Sequence, residues 1–326
     1  MRHRFGRDRT DALSVLFMET GRSVQAFVRI DDLLNRGWEE GFCRGLLMLG
    51  SSRVGKSHIV RNYMRLRVDE QPDINMRPNI VLVEVPPGCT LKSFVAELLS
   101  ALGDPAPDLG SQTEKTTRVG EAIGLAEVDL LIVDEMQRLI DSDTDKVKAE
   151  VASWLTAFLN RRLCPMLMVG ERTTERVFRG KRHTKGRTLG AFYIEPYDWA
   201  KAPDQQEFRG VLHLMDKRLG MDELAGLGTV DTALRIYAYA EGLLGQAATL
   251  IDQARAIARR NGRPKVTHDL LAEAVDELRI GEERVKVNPF RVASVENAMP
   301  ADTGDEDTDI PRRGRRRAAD TDGEGN

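Results

Sequence analysis

Leu46-Leu-Met-Leu49 running into Gly50-Ser51-Ser52-Arg53-Val54-Gly55-Lys56-Ser57-His58 is the stretch that decides the fold. Four apolar residues in a row suit a strand buried on both faces of a parallel sheet. The two glycines let the chain turn and present successive backbone N–H groups to phosphate. Lys56 is then set to reach the outer phosphates, and Ser57 to offer its hydroxyl to Mg2+. The helix that begins there adds the positive end of its dipole, and Ile59, Val60, Tyr63, Met64 and Leu66 behind it keep helical spacing. Residues 50–58 are therefore expected to cradle the phosphates of ATP.

Downstream the same alternation repeats. Ile80-Val-Leu-Val-Glu-Val85 is a β-branched strand closed by Pro86-Pro-Gly88, and 91–102 is a helix with Thr90 as its N-cap. A helical segment over 117–126 precedes the buried strand Asp129-Leu-Leu-Ile-Val133. An amphipathic helix over 147–161 then leads into the strand Pro165-Met-Leu-Met-Val169. Strands alternating with helices predict a parallel sheet with helices on both faces, an α/β P-loop NTPase fold. After Trp199 strand signals stop, and 204–219, 230–260 and 267–279 show three-to-four-residue apolar periodicity, with Gly242 and Gly245 expected to split the middle stretch. The expected organisation is an N-terminal arm (1–44), an α/β nucleotide-binding domain (45–199), a small helical lid (200–285) and a disordered or partner-binding tail (286–326).

Composition narrows the function classes. The chain has 326 residues, 41% hydrophobic and 30% charged, enough for a real core beneath a charged surface. No apolar run approaches the ~18 residues that span a bilayer, and the start does not read as a signal peptide. A cytoplasmic location without membrane association is the expectation. The three cysteines, Cys43, Cys89 and Cys164, lack metal-ligand spacing and read as small hydrophobes in a reducing compartment. With a net charge of -3, any nucleic-acid surface has to be local.

The second half of the nucleotide site is Leu130-Leu-Ile-Val-Asp134-Glu135. Asp134, at the carboxyl end of a buried strand, is expected to hold the Mg2+ shell, and Glu135 to polarise the attacking water. Phosphoryl transfer also needs a cation where negative charge develops, often an arginine supplied by a neighbour. Arg187 and Arg182, in a basic stretch that also holds Arg172, Arg176, Arg179, Lys181 and Lys185, are the candidates. The same stretch reads equally as a solvated basic loop or one that touches nucleic acid.

These two motifs, the basic loop and the helical lid together resemble the AAA+ ATPases. A narrower resemblance lies in Phe192-Tyr-Ile-Glu-Pro-Tyr-Asp-Trp199, Gln206-Glu-Phe-Arg-Gly-Val-Leu212, Val169-Gly170 and the lid segment Glu241-Gly-Leu-Leu-Gly-Gln-Ala-Ala-Thr-Leu250. It is to the TniB/TnsC family of transposition regulators, over roughly residues 25–285. The resemblance implies an ATP-bound homo-oligomer, a hexamer-like ring or helical filament on double-stranded DNA. It also implies a link between a target-selector protein and a DDE transposase. Lys56, Ser57, Asp134 and Glu135 carry over to nucleotide binding and hydrolysis, and Arg187 to the arginine acting in trans.

There are departures from the family pattern. Glu171 stands where many relatives have Thr as a γ-phosphate sensor, with Thr173 nearby. Gln246 lies near where other AAA+ proteins place a second sensor arginine. The family's DNA-tracking segments point to Lys92, Thr113, Lys115 and Arg118, read also as ordinary surface polarity. Phosphate-backbone recognition with little sequence preference is expected there, since no aromatic residue interleaves them. The terminal Pro311-Arg-Arg-Gly-Arg-Arg-Arg317 reads as a DNA or partner contact or as a solubilising tail. Two other functions fit the nucleotide motifs: a signalling or replication-type AAA+ switch acting on a protein partner without DNA, and a small-molecule kinase, against which Glu135 argues.

Overall fold

A computed structural model describes residues 18–39, 42–70, 73, 77–140, 144–178, 186–278 and 287–295. Arg182 and the terminal arginine run lie outside the described residues. At the centre is a five-stranded, wholly parallel sheet. Its strands are β1 (Gly45–Leu49), β2 (Ile80–Glu84), β3 (Leu130–Asp134), β4 (Met166–Gly170) and β5 (Thr188–Tyr193), in the spatial order β2-β3-β4-β1-β5. Strand β5 is an addition to the four apolar strands legible in the sequence. It lies at the sheet edge, is only partly buried, and carries Gly190 at φ 92, so it lacks the continuous apolar run that marks a central strand.

Side-chain alternation along the strands builds the two layers, since successive residues point to opposite faces. Leu47, Leu49, Leu131, Val133, Met166 and Met168 belong to one buried cluster with Phe94, Leu98, Val119, Trp154 and Phe158. These come from helices α3 (Leu91–Ala101), α4 (Gln112–Leu125) and α5 (Asp145–Asn160). Leu46, Met48, Leu130, Ile132, Leu167 and Val169 face the other way, into a cluster with Val60 and Tyr63 of α2 (Lys56–Glu70) and Ala26, Ile30 and Leu33 of α1 (Gly21–Arg36). Tyr63 donates to Asp31 Oδ1 at 2.7 Å and Arg67 to Asp31 Oδ2 at 2.7 Å, fastening α1 to α2. Helix α1 is thus a packed layer of the α/β unit.

Helices α6 (Ala202–Arg218), α7 (Val230–Ala240), α8 (Leu244–Arg260) and α9 (His268–Leu278) share a third buried cluster with Tyr197. The expected break between α7 and α8 falls at Glu241 and Gly242, both at positive φ, while Gly245 lies inside α8. Residues 287–295, expected to begin the tail, pack on this helical unit. Arg235 donates to the carbonyls of Pro289 and Val292 at 2.5 and 2.9 Å, and Asn288 is buried beside Ala272. Among the described residues no helix is long and apolar enough to cross a membrane.

Candidate nucleotide-binding site

The phosphate loop springs from the carboxyl end of β1. Gly50 is wedged under the exit of β5, where a Cβ would stand 2.3 Å from the Ile194 carbonyl oxygen. Gly55 adopts φ 107, a conformation open to glycine at no steric cost. Helix α2 starts at Lys56, so its unsatisfied N–H groups open onto the loop. Lys56 is 7% exposed and donates to the carbonyls of Gly50 and Ser51, both at 2.8 Å. Burial pulls its ammonium below the usual lysine range, and the charges of Glu135, Glu171 and Asp134 oppose that pull. A cavity lined by Ser52, Arg53, Gly55, Ser57 and His58 faces Glu135, Gln137 and Glu171 across it.

The acids come from the neighbouring strand. Asp134 closes β3, is 2% exposed, and accepts the Glu135 N–H at 2.8 Å. Glu135 itself sits at φ 59, ψ 35, a left-handed conformation costly for a residue with a Cβ. That turn aims its carboxylate into the cavity, where Oε2 accepts from Gln137 Nε2 at 2.8 Å and pairs with Arg138 Nη2 at 3.1 Å. Gln137 is nearly buried, and its Oε1 accepts the Glu171 N–H at 3.1 Å, joining the ends of β3 and β4. Glu171 therefore borders the phosphate cavity, whereas Thr173 does not line it.

The donor set fits a hard cation. The Ser57 hydroxyl and Asp134 carboxylate are oxygen ligands of the kind Mg2+ takes while keeping water and substrate phosphates for its other positions. Among the described residues no cluster of three His, Cys, Asp or Glu side chains is placed to hold a metal ion by itself.

Beside the phosphate cavity lies an apolar one that the sequence did not reveal. Val54, Ile59, Ile194, Tyr197, Val211, Met215, Leu244 and Ala248 line it, along with Met18, Thr20 and Arg22 at the start of α1. Its size and position, continuous with Gly55 and His58, suit the base and sugar of a nucleotide. Arg22 closes one wall: it lies 3.7 Å over the Tyr197 ring and pairs with Asp204 at 2.9 Å and Glu207 at 3.3 Å. The lid reaches this region backbone to backbone. Tyr197 N–H donates to Gly242 O at 3.1 Å, and Gly245 N–H to Arg53 O at 3.3 Å. Thr249, not Gln246, lines the phosphate cavity from the lid side.

Other sequence-selected residues lie apart from this site. Arg187 precedes β5, and its carbonyl accepts from the N–H of Gly45, at the opposite end of β1 from the phosphate loop. Five residues of strand at ~3.3 Å each put roughly 16 Å between those levels. Arg187 packs over the Phe42 ring at 5.3 Å and hydrogen-bonds Asn160. Lys92 and Thr113 are exposed in the first turns of α3 and α4. Lys115 is only 3% exposed. Arg118 braces its own loop, donating to Asp104 at 3.0 Å, Leu109 O at 3.0 Å and Ala106 O at 2.8 Å.

A family model described as the bacterial TniB protein matches residues 16–188, just over half of the chain. The chain belongs to the TniB family. A comparison with curated proteins finds no match. Among solved structures, this TniB-family chain is similar to the Aeropyrum pernix ORC1 protein in complex with DNA, with 16% identity and a TM-score of 0.63 over 83% of this chain and 69% of that one. It is similar to CDC6P from Pyrobaculum aerophilum at 18% identity and a TM-score of 0.62, over 85% and 73%. The A. pernix ORC2 protein in ADPNP–ADP complexes gives 14% and 0.60, over 81% and 70%. At such identities the likeness is one of fold, and that fold is the AAA+ P-loop ATPase.

Proposed function

We propose that this chain is an ATP-hydrolysing, DNA-binding regulator of transposition. In this reading it assembles as a ring or filament on duplex DNA and links a target-selector protein to the transposase. ATP with Mg2+ is held by residues 50–58 and Asp134, and Glu135 polarises the attacking water. Membership of the TniB family supports the role in transposition. The observation that carries the assembly is the separation of Arg187 from its own phosphate loop by the length of the sheet. An arginine there cannot serve its own nucleotide, but it suits the trans-acting partner that phosphoryl transfer calls for. Lys92 and Thr113, both exposed, are the better placed of the proposed phosphate-tracking residues.

Complementation tests this reading. Glu135→Gln and Arg187→Ala chains should each hydrolyse little ATP alone in the presence of duplex DNA. Mixed, they should recover turnover, because the intact Glu135 of one chain meets the intact Arg187 of the other. Two chains that bind ATP yet stay silent when mixed would rule out the composite site. An ATP-analogue complex that leaves duplex anisotropy unchanged at low salt would favour the switch acting on a protein partner.

A further inference from the structure

Both peptide groups that flank Arg187 are gripped from residues 44 and 45. The Gly186 carbonyl accepts from Arg44 Nη1 at 2.7 Å, and the Arg187 carbonyl accepts the Gly45 N–H at 2.8 Å. The Arg44 backbone is itself fixed on both sides. Its N–H donates to Gly37 O at 2.7 Å, and its carbonyl accepts the Met166 N–H at 3.1 Å. Phe42 completes the arrangement. Its ring lies under two guanidiniums, that of Arg44 at 4.9 Å and that of Arg187 at 5.3 Å, both within range of cation–π attraction. The backbone of Phe42 is placed by a short antiparallel ladder that pairs it with Glu39, and Cys43 with Trp38.

Arg187 has need of such support. It stands just before the edge strand β5, which pairs with β1 alone among the described strands. A long arginine side chain also has many rotamers to lose on meeting a ligand. A trans-acting guanidinium must reach a neighbour's phosphates in one geometry, and an error of about an ångström costs on the order of 100-fold in rate. Arg44 immediately precedes β1, whose other end carries the phosphate loop. Its guanidinium therefore lies at the level of Arg187, a strand's length from the nucleotide of its own chain. Any part it plays in hydrolysis goes through Arg187.

We propose that Arg44 is a positioning residue for Arg187. With Phe42 as the shared platform, it sets both the backbone and the guanidinium of the arginine that one copy offers to the nucleotide of the next. The proposal rests on Arg187 acting in trans. A chain without Arg44 keeps a whole phosphate loop, Asp134 and Glu135, and fails only the copy beside it.

The test is steady-state phosphate release by full chains with Mg-ATP and duplex DNA. Arg44→Ala should lower kcat roughly 10- to 100-fold, while the chain by itself binds a fluorescent ATP analogue as wild type does. Mixing it with Glu135→Gln should restore turnover, because the second chain brings an intact Arg44 and Arg187 to the intact Glu135 of the first. In a random equimolar mixture of head-to-tail assemblies roughly a quarter of the interfaces pair them in that order, so recovery to about a quarter of the wild-type rate is expected. Damage to the Arg44→Ala chain's own site would not be rescued in this way. A wild-type rate for Arg44→Ala, or a loss that mixing leaves in place while Arg187→Ala recovers, would overturn the proposal. Should Arg44→Ala fail to fold by circular dichroism, Phe42→Leu takes its place, keeping apolar volume without the ring face. It should show a lower kcat rescued by the same mixture, and a wild-type rate there would overturn the proposal instead. An Arg187→Ala chain that turns over normally alone, or stays silent in the mixture, would mark the failure of the trans assignment, separately from that of the brace.

Discussion

Gly242→Ala should detach the lid from the nucleotide site, and the size of the effect follows from two separable terms. Gly242 has φ 76, and an L side chain there costs ~1–2 kcal/mol. The second term is contact. A Cβ on Gly242 would stand 2.1 Å from the Tyr197 carbonyl oxygen and 2.8 Å from its nitrogen, both backbone atoms that cannot rotate away. Relief requires a shift of about an ångström, which breaks the Tyr197 N–H bond to Gly242 O at the cost of another ~1 kcal/mol. Gly262 supplies the control, with φ 60 and nothing within 4 Å of its Cβ position. Urea unfolding should show Gly262→Ala destabilised by about 1–2 kcal/mol and Gly242→Ala by about 2–3 kcal/mol. Because Gly242 and Tyr197 both line the apolar cavity, a fluorescent ATP analogue should bind Gly242→Ala at least ~10-fold more weakly and Gly262→Ala normally. If the two variants unfold at the same midpoint and bind nucleotide alike, the close lid contact is not what shapes the pocket.

Two further outcomes follow from burial and pairing. Cys43 and Cys164 are fully buried, and burial pushes the Cys43 thiol up to about 11 and Cys164 higher still, while Cys89 is half-buried. A maleimide at neutral pH should therefore modify Cys89 in the native protein and all three thiols in denaturant; rapid native labelling of Cys43 or Cys164 would contradict the packing. Arg118→Ala should lower stability by about 1–3 kcal/mol through its three lost acceptors, whereas Lys92→Ala should leave urea unfolding unchanged and weaken duplex binding with a smaller salt slope. Equal stability losses for the two variants would contradict these roles.

Much of this architecture was legible because local signals agreed with the global fold. Leu46–Leu49 and Leu130–Val133 read as buried on both sides, and they supply alternate residues to the two opposite core clusters. Thr90 was legible as a cap because its side chain and that of Ser93 satisfy each other's backbone N–H groups. The edge strand β5 escaped notice because Thr188-Leu-Gly-Ala-Phe-Tyr193 mixes small, polar and aromatic residues. The apolar cavity escaped for another reason: its walls come from α1, α2, the exit of β5 and the helical unit, residues that no local window unites. Likewise Lys115 reads in sequence like Lys92, and only the packing of α4 separates a buried lysine from an exposed one. Arg44 carried no signal at all, because its interest lies in Gly186 and Arg187, residues brought alongside by strand pairing.

The most direct test of nucleotide as the joint between copies is electron microscopy of the full chain with duplex DNA and a non-hydrolysable ATP analogue, with Lys56→Ala as the control. The expected result is rings or filaments on the duplex with Arg187 of one copy against the γ-phosphate held by its neighbour, and no assemblies from Lys56→Ala. Monomers on bare DNA, or assemblies in which Arg187 points away from every nucleotide, would contradict it.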